Sequence, residues 1–488
     1  MSLRTADLRF VLPAPVHSAR VLGAEPFASG WNTALEEAGL EASNTAVPDL
    51  IVAPAQRLAQ AMAAGAPYVL LLGRPRRPVP GARQLFVRGE ATRPLHVVPA
   101  DQPSSLRHYL RHVAAAPSAV GRVRGGALAA MTRTPVPVGR VVPSRAVAVV
   151  HTRQPSPVPF LIQEATAFGV PRNAGWVLSL GAGDDLQRAV FHLLEDGRAD
   201  GPARWVLKFA RVAGYDEPFR RDEAGLALAR SAGPVVAGHA PALLGRFDVA
   251  GLAASVETAA SGRRLVEVLA RVHAWPGGAK SAVQSLDAIA SWVIDLGRAT
   301  RTAPAALGPE LARLAADVLP RWVRAGASPD LVGSLPPLPG VLQHNDLGSW
   351  NIVTDGAQFT AVDWESARAC GLPLWDLLYV LGDCLVRIEG PGDVATLTTR
   401  ALALFRGESA HSARLFGWVR RAVETLQLPV DAVGPLATLC WLHHGLSSTA
   451  RDTALGGAPA APLGHLARLA EPWLADPALG VGWRAWAG

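Results

Sequence analysis

One segment in the second half of the chain, VLQHNDLGSWNIVTDGAQFTAVDWESA at residues 341–367, combines short apolar runs with closely spaced polar side chains. His344, Asp346, Asn351 and Asp363 place an imidazole, two carboxylates and an amide among β-branched residues. The runs NIVTD and FTAVDWE predict two strands, which would bring Asp363 back beside Asn351. A fold that contains this segment therefore has to gather four polar side chains at one hairpin.

The polar groups of this hairpin are typical of a site for a hard metal ion. Mg²⁺ prefers a carboxylate, an amide oxygen and substrate phosphates, and Asp363 and Asn351 offer the first two. Asp346 would then be the carboxylate that orients an attacking hydroxyl and takes its proton. These residues predict phosphoryl transfer, which consists mostly of positioning and charge neutralisation.

The spacing also resembles a known family. HNDLGSWN fits the kinase catalytic-loop pattern H-x-D-L-x-x-x-N, with Asn345 where protein kinases carry Arg. HNDLGSWNIV followed by VDWE resembles the aminoglycoside phosphotransferase and choline kinase family, over roughly residues 160–475. The resemblance implies ATP and Mg²⁺ as cofactors, Asp346 as catalytic base, and Asn351 and Asp363 as metal ligands. It also implies an α+β protein-kinase-like bilobal fold, with a small β-rich N-lobe and a helical C-lobe.

Residues upstream of the hairpin supply further parts of a kinase. Lys208 is one of two lysines among 47 basic residues. It lies mid-strand in WVLKFARV, where a kinase needs an ammonium on the ATP α- and β-phosphates. Glu223 follows on a predicted helix and can pair with it. Gly181 and Gly183 lie in a turn whose backbone N–H groups can cover phosphates, with a plain hairpin turn as the alternative.

Two more segments have roles implied by the family. Glu257 and Ala259, in SVETAASG, lie where the family connects its lobes and hydrogen-bonds adenine through backbone groups, with an ordinary loop as the alternative. Asp376 in GLPLWDLLYVL matches the G-x-P-x-x-D-L element. A structural role is favoured for it, either capping N–H groups or holding the catalytic loop. His344 is likewise interpreted as a support for the loop and not as a proton carrier.

The first part of the chain has a different pattern. From Ser18 to about Ala115, short apolar strand candidates alternate with helical stretches, an order typical of an α/β layered sheet. This part resembles a shortened class I methyltransferase or Rossmann-type domain, but LGAEPFASGW stands where a Gly-rich cofactor turn would be. The predicted domains are a degenerate Rossmann-like accessory domain at 1–115, a Pro/Arg/Gly-rich connector at 116–159 and a kinase domain at 160–480, divided into an N-lobe (160–256), a hinge (257–262) and a C-lobe (263–480).

Positive charge is distributed unevenly along the chain. The formal net charge is +7, and residues 1–150 hold 17 Arg against 8 acidic residues, whereas residues 376–488 hold 9 against 10. Because Arg forks suit phosphate groups, the Arg-rich segment 74–140 indicates an anionic ligand or surface as partner, with an ordinary solvated surface as the alternative. Nucleic acid is disfavoured, since this segment lacks the aromatic platform of single-strand binders.

The predicted acceptor is a small molecule with a hydroxyl group. Balanced charge in the C-terminal helices does not suit a polycation such as an aminoglycoside. Trp375, Trp418, Trp441 and Trp473 favour a sugar or glycoside stacked on tryptophan, with core packing as the alternative. Two other functions stay open. One is a kinase-like binding module that has lost activity, and the other is methyl transfer by the N-terminal part.

Location and redox state are predicted from what the sequence lacks. No apolar run reaches the ~18 residues of a membrane-spanning helix, and MSLRTADLRFVLPAP lacks the order of a signal peptide, which predicts a cytoplasmic protein. Cys370, Cys384 and Cys440 are odd in number and have no CxxC spacing. This count argues against a disulfide framework or a zinc site.

Overall fold

The computed structural model describes residues 7–42, 47–73, 79, 82–89, 94–114, 119–133, 146–152, 158–180, 188–195, 201–274, 277–356, 358–454, 464–476 and 478–479. The chain forms two compact units. The first unit is Met1–Phe219 with Ala242–Ala260, and the second unit is Arg220–Pro241 with Ser261–Gly488. No helix in the described ranges is long and apolar enough to cross a membrane.

The first unit is built on one sheet of twelve strands within its described residues. These strands are β1 (Ser18–Val21), β2 (Glu41–Ala42), β3 (Leu50–Pro54), β4 (Tyr68–Leu72), β5 (Ala82–Gly89), β6 (Pro94–Pro99), β7 (Ala146–Thr152), β8 (Gly175–Ser179), β9 (Ala189–Leu194), β10 (Trp205–Phe209), β11 (Leu243–Val249) and β12 (Leu252–Thr258). Their spatial order is β11-β12-β10-β9-β8-β6-β5-β7-β4-β3-β1-β2.

One end of this sheet is parallel. β1 pairs in parallel with β2 and β3, and β3 pairs in parallel with β4. Helix α1 (Phe27–Glu37) lies between β1 and β2 in the chain, and α2 (Leu58–Ala63) lies between β3 and β4, as crossover connections between parallel strands require. The alternation of strands and helices is as predicted. A Rossmann-like cofactor domain is not confirmed, because β7, β5 and β6 continue the sheet in antiparallel order.

The other end of the sheet is antiparallel. β8, β9, β10, β12 and β11 pair in that order with alternating direction. The pairing of β6 with β8, with His96 opposite Ser179, joins this end to the N-terminal strands. The predicted boundary at residue 160 therefore lies inside one continuous sheet. The two units are defined by compactness, whereas the predicted kinase domain is defined by its resemblance to a family. The units therefore do not test the predicted domain limits, which stay predictions.

Helices and aromatic side chains cover the faces of the sheet. Three helices of the first unit follow α2 in the described ranges, namely α3 (Pro103–His108), α4 (Ala119–Met131) and α5 (Phe160–Ala165), and a π-helical turn, Tyr109–Val113, continues α3. Phe209 contacts Phe10 and Phe191, with ring centroids at 4.9 and 5.4 Å. Side chains from both ends of the first unit's sequence thus share one apolar core.

The second unit is mainly helical. Its helices are α6 (Glu217–Ser231, which begins in the first unit), α7 (Pro234–Ala237), α8 (Leu265–Leu269), α9 (Gly278–Ala299), α10 (Gly308–Arg313), α11 (Leu319–Val323), α12 (Trp375–Ile388), α13 (Val394–Arg406), α14 (Ser412–Leu426), α15 (Val433–Ala454) and α16 (Ala470–Ala475). Its short strands are β13 (Arg263–Arg264), β14 (Val341–Gln343), β15 (Ile352–Thr354), β16 (Phe359–Ala361) and β17 (Arg368–Gly371). They form two small sheets, β13-β15-β16 and β14-β17.

Helix α12 is the centre of the second unit. It packs against α9, α13, α14 and α15, and nearly all of its residues are buried. A helix that is apolar on all sides is expected at the core of a helical domain. Two charged residues of α12, Asp376 and Asp383, are buried with it, and both lie beside the hairpin singled out from the sequence.

Candidate active site

The predicted hairpin forms in the second unit. β15 and β16 pair antiparallel, with Ile352 opposite Ala361. The Val362 N–H donates to the Asn351 carbonyl at 2.8 Å, so Asp363 directly follows a residue that is bonded to Asn351. Asp363 has a φ of +70°, in the left-handed region that Asp tolerates better than most residues. The two predicted metal ligands therefore lie on paired ends of one hairpin.

Asp346 is oriented by the residues that follow it. Asn351 Nδ2 donates to both the carbonyl oxygen and Oδ2 of Asp346, each at 2.9 Å. The Trp350 side chain also hydrogen-bonds to Asp346. Because the NH₂ group of Asn351 is turned towards Asp346, the amide oxygen is left to serve as a ligand for a cation.

The charges of the hairpin perturb one another. Burial and the negative charge of Asp363 raise the pKa of Asp346 to about 7, with a smaller effect of Glu365, while hydrogen bonds from Asn351 and Trp350 act to lower it. Like charges at one site disfavour ionisation, and a pKa near neutrality suits a general base. The Asp363 carboxylate and the Asn351 amide oxygen are also donors that fit a hard cation.

A cluster of three or more His, Cys, Asp or Glu side chains able to hold a metal does not occur in the described part of the chain. An Mg²⁺ site of the predicted kind does not need one. It uses one carboxylate from Asp363 and one amide oxygen from Asn351, with the remaining ligands supplied by phosphates and water.

Asp376 supports the catalytic loop from the first turn of α12. Its Oδ2 accepts the His344 N–H at 2.7 Å, and its Oδ1 accepts the Asn345 N–H at 2.8 Å. Asn345 has a φ of +62°, a conformation that these bonds help to hold. Burial raises the pKa of Asp376 to about 6, although both backbone bonds act to lower it. The geometry is that of a loop support, the role favoured for this residue from the sequence.

His344 also has the surroundings of a support. Its ring is fully buried, packs on Trp364 with centroids 4.7 Å apart, and places Nε2 3.0 Å from the Val362 carbonyl. Burial lowers its pKa to about 4. The imidazole is therefore neutral near pH 7 and ties the catalytic loop to the strand that delivers Asp363.

Two buried acidic residues near the hairpin were not predicted. Asp383 accepts the Ser349 N–H at 2.8 Å and pairs with Arg387 at 2.7 Å. Asp222, on α6, accepts the Trp364 N–H at 2.9 Å. A signal for Asp383 was present in the sequence, because residues seven apart lie on one face of a helix and Asp376 had already been singled out. Asp222 could not be distinguished in sequence from its neighbour Glu223.

Lys208 has a partner in the first unit that differs from the expected one. Its Nζ lies 2.8 Å from Glu257 Oε1, and both side chains are buried. The sequence predicts a hinge loop at Glu257, but this residue belongs to β12, next to β10 in the sheet. The physical reason is that a buried ammonium requires a counter-charge, which the adjacent strand provides. Glu223 is exposed on α6, and its predicted pairing with Lys208 stays a prediction.

The remaining nucleotide contacts stay predictions. The Ala259 N–H donates to the Arg204 carbonyl at 2.9 Å, so this N–H is used inside the first unit. Gly181 and Gly183 lie outside the described residues.

The tryptophans proposed to stack on a sugar are mostly core residues, which corrects that part of the acceptor argument. Trp375, Trp441 and Trp473 are 1%, 0% and 3% exposed. The Trp375 and Trp473 indole N–H groups donate within the second unit, at 2.9 and 3.0 Å. Trp418 is partly buried and donates to Asp287 at 2.9 Å. Large aromatic side chains stabilise a helical core most when they are fully buried.

Three arginines of segment 74–140 are engaged inside the first unit. Arg83 forms an ion pair at 3.3 Å, buried Arg107 donates to a threonine hydroxyl at 2.7 Å, and Arg88 hydrogen-bonds a tyrosine. An anionic partner for this segment stays a prediction, and several of its arginines lie outside the described residues.

Comparisons with known proteins bear on the region that contains this site. Residues 181–416 match the model of the phosphotransferase enzyme family. A search of curated proteins found no match. Among solved structures, an aminoglycoside-3'-phosphotransferase of type VIII is 18% identical, with a TM-score of 0.27 over 55% of this chain and 99% of that chain. The bifunctional kinase-methyltransferase WbdD is 13% identical, with a TM-score of 0.23 over 88% of this chain and 87% of that chain.

TM-scores of this size carry no argument, so the assignment rests on the family match. The matched range includes Lys208, Glu257 and the whole catalytic-loop hairpin. A strand-rich part, β8 to β12, also precedes a mainly helical part in the chain, in the order predicted for a kinase-like fold. The region from residue 181 to residue 416, just under half of the chain, therefore matches the phosphotransferase enzyme family and has a kinase-like fold.

Proposed function

We propose that this protein is a small-molecule kinase that transfers the γ-phosphate of ATP to a hydroxyl group. The observation that carries the proposal is the arrangement of the hairpin in the second unit. Asn351 orients Asp346 through two hydrogen bonds of 2.9 Å, and the charge of Asp363 acts on the same carboxylate. A positioned carboxylate beside oxygen ligands is what phosphoryl transfer requires of a protein.

In this proposal, each residue of the hairpin has a separate task. Asp346 orients the acceptor hydroxyl and receives its proton. Asp363 and the amide oxygen of Asn351 would hold Mg²⁺, which supplies positive charge to neutralise phosphate oxygens. Asp376 and His344 keep the loop rigid through the bonds described above. Lys208 supplies a cation for the nucleotide phosphates, and Glu257 provides the counter-charge that a buried ammonium requires.

We further propose that the acceptor is a neutral hydroxyl compound, with sugars and glycosides the first class to test. Residues 376–488 carry 9 Arg and 10 acidic residues. This balance provides almost no net negative charge that would attract a polycation. Stacking on tryptophan no longer supports the sugar, because three of the four candidate indoles are buried in the core. The charge balance is the remaining support.

The test is a screen for acceptor-dependent ADP release by the purified full chain with Mg²⁺ and ATP, against sugars, amino alcohols and aminoglycosides. We expect turnover with a neutral hydroxyl compound and a loss of at least ~10²-fold in kcat in Asp346→Asn, because the variant cannot take the proton. Asp295→Asn, a partly exposed carboxylate paired with Arg298, is the matched control and should keep full activity.

The outcomes separate the proposal from the two alternatives. Nucleotide binding without ADP release for any acceptor would identify an inactive binding module. Saturable binding of S-adenosylmethionine with methyl transfer would instead assign an activity to the N-terminal part. Unchanged turnover in Asp346→Asn would remove the proposed mechanism.

A further inference from the structure

Trp350 directly precedes Asn351 in the catalytic loop, and its indole lies against the loop itself. The Gly348 N–H donates to the Asp346 carbonyl, and the Asn351 N–H donates to the Gly348 carbonyl, both at 2.9 Å. This tight turn brings the indole back to Asp346, to which it hydrogen-bonds. An indole N–H can only donate, so the carboxylate of Asp346 is the acceptor. Asp346 therefore receives side-chain hydrogen bonds from two neighbours in the loop, Trp350 and Asn351.

Gly348 makes room for this indole. A Cβ added at the glycine would lie 2.4 Å from Cζ2 of Trp350 and 2.5 Å from both Cε2 and Cη2, whereas carbon atoms in contact are ~3.5–4.0 Å apart. The backbone of Gly348, with φ −85° and ψ 167°, is in the extended region that any residue adopts. Glycine is therefore needed here for the space that the indole occupies and not for an unusual backbone conformation.

The helices of the second unit also hold the indole in place. Tyr379 of α12 is 7% exposed and meets the Trp350 ring edge to face, with centroids 5.9 Å apart and planes at 85°. This arrangement is favourable because the positive edge of one ring meets the negative face of the other. His444 of α15 packs in turn on Tyr379, with centroids 4.1 Å apart. Packing from α12 and the space at Gly348 thus fix the indole where its N–H reaches Asp346.

We propose that Trp350 is a positioning residue for the catalytic carboxylate and that, with Asn351, it fixes the direction in which Asp346 faces the acceptor hydroxyl. This inference rests on the phosphoryl transfer proposed above. A carboxylate held by one donor can still turn about that hydrogen bond, whereas two donors from different points of the loop restrict it to one orientation. A displacement of ~1 Å at a catalytic group can cost ~10²-fold in rate. The alternative is that the indole only fills space over Gly348.

The kinetic test compares Trp350→Phe with the wild type in acceptor-dependent ADP release by the full chain. Phe keeps an aromatic ring against Tyr379 but has no N–H to donate. We expect kcat to fall ~10-fold while the calorimetric Kd for ATP with Mg²⁺ stays unchanged, because the proposed metal ligands are left in place. Trp418→Phe is the matched control, since it removes an indole hydrogen bond to the partly exposed carboxylate of Asp287. It should keep the wild-type kcat.

Gly348→Ala displaces the same indole without changing Trp350. Because the added methyl group overlaps the ring, the indole N–H should move away from Asp346 and kcat should fall to a similar extent. The double variant Gly348→Ala, Trp350→Phe should lose little more than either single variant, since effects that act on one contact are not additive. A loss equal to the product of the two single losses would overturn the inference. If Trp350→Phe is not folded, as judged by circular dichroism, the kcat of Gly348→Ala decides the question.

A spectroscopic measurement on the full chain without ATP separates this inference from the proposed function. In protein with ¹⁵N-labelled tryptophan, the indole signal of Trp350 is the one that Trp350→Phe removes. It should shift in Asp346→Asn more than any other indole signal, and it should stay in place in Asp295→Asn. An unmoved signal in Asp346→Asn, or an unchanged kcat in folded Trp350→Phe, would contradict the positioning role. Absence of acceptor-dependent turnover in the wild type would remove the proposed function, and the indole signal would still decide whether Trp350 is bonded to Asp346.

Discussion

Lys208 and Glu257 form an ion pair that is almost completely removed from water. Their side chains are 10% and 3% exposed, with 2.8 Å between Nζ and Oε1. The intact pair adds little to the free energy of unfolding, but removing one of its two partners is expected to cost much more. Desolvation of two ions offsets much of their attraction, whereas removing one partner leaves a buried charge poorly compensated.

Glu257→Gln is therefore expected to destabilise the protein by ~3 kcal/mol or more. The double variant Lys208→Met, Glu257→Leu should recover most of that loss, because it removes both charges and keeps apolar volume. Urea unfolding followed by circular dichroism measures both changes. Equal destabilisation by the single and double variants would show that packing, not charge, sets the cost.

Asp363 combines a proposed ligand role with a left-handed backbone, and two substitutions separate these properties. Asp363→Asn keeps a side chain that tolerates φ of +70°, whereas Asp363→Ala loses that tolerance too. Both should abolish Mg²⁺-dependent ATP binding, since Asn351 alone cannot hold a hard cation, but only Ala should also lower stability. Calorimetry and thermal unfolding give the two readouts. Asp355→Ala, an exposed residue on the same hairpin, should leave ATP affinity intact.

At the scale of elements, α12 determines the shape of the catalytic loop. Asp376 and Asp383 lie two turns apart on it and accept backbone N–H groups of His344, Asn345 and Ser349. The helix is rigid because its neighbours bury it on nearly every side. A loop bonded to such a helix is held in one conformation, which is what positioning of a catalytic carboxylate requires.

Asp376→Ala should destabilise the protein by ~2–6 kcal/mol, because it leaves two buried N–H groups without a partner at ~1–3 kcal/mol each. Chemical denaturation provides the measurement. The comparison is Asp393→Ala, which removes an exposed carboxylate that caps α13 and should cost only ~1 kcal/mol. A similar loss in both variants would contradict the role assigned to Asp376.

The twelve-stranded sheet leads to a second prediction at this scale, on the effect of removing its N-terminal strands. A chain that starts at residue 158 would lose β1–β7, leaving β8 as an unpaired edge and uncovering Phe209 where Phe10 packs. Exposed edges and apolar faces favour aggregation. We expect this truncated chain to be largely insoluble, as measured by soluble yield and size-exclusion chromatography. A monodisperse, folded product would show that the C-terminal strands do not need the N-terminal part.

For the molecule as a whole, buried histidines make stability depend on pH. Burial lowers the pKa of His444 to about 3 and that of His465 to about 4, as it does for His344. Each is neutral when folded and gains a proton at its ordinary pKa when unfolded. The contribution of these groups to the free energy of unfolding is therefore complete above pH ~6.5 and is lost as the pH falls towards 4. Asp346 and Asp376, with raised pKa values, act in the opposite sense.

His444→Phe isolates one of these contributions, because Phe cannot be protonated but keeps a ring against Tyr379. In the wild type the ring centroids of His444 and Tyr379 are 4.1 Å apart. Between pH 7.5 and pH 5, the variant should lose ~1–2 kcal/mol less of its free energy of unfolding than the wild type. His17→Phe, at an exposed position, should follow the wild-type pH dependence. An identical dependence in His444→Phe would contradict burial as the cause.

The sequence by itself determined the features that depend on neighbours in the chain. The hairpin around Asp346, Asn351 and Asp363 was predicted from local spacing and apolar runs, and it forms as expected. The alternation of strands and helices at the N-terminus was predicted for the same reason. Side-chain periodicity and turn chemistry act over a few residues and can be recognised without knowing the fold.

Only the tertiary structure decided which distant residues meet. It paired Lys208 with Glu257, placed Asp383 under the catalytic loop, buried Trp375 in the core and joined β6 to β8 across the expected domain boundary. These contacts link positions from about 30 to 80 residues apart. Apart from the helical spacing that places Asp383 on the face of Asp376, they follow from burial and sheet register, which are properties of the packed molecule and leave no periodic pattern in the chain.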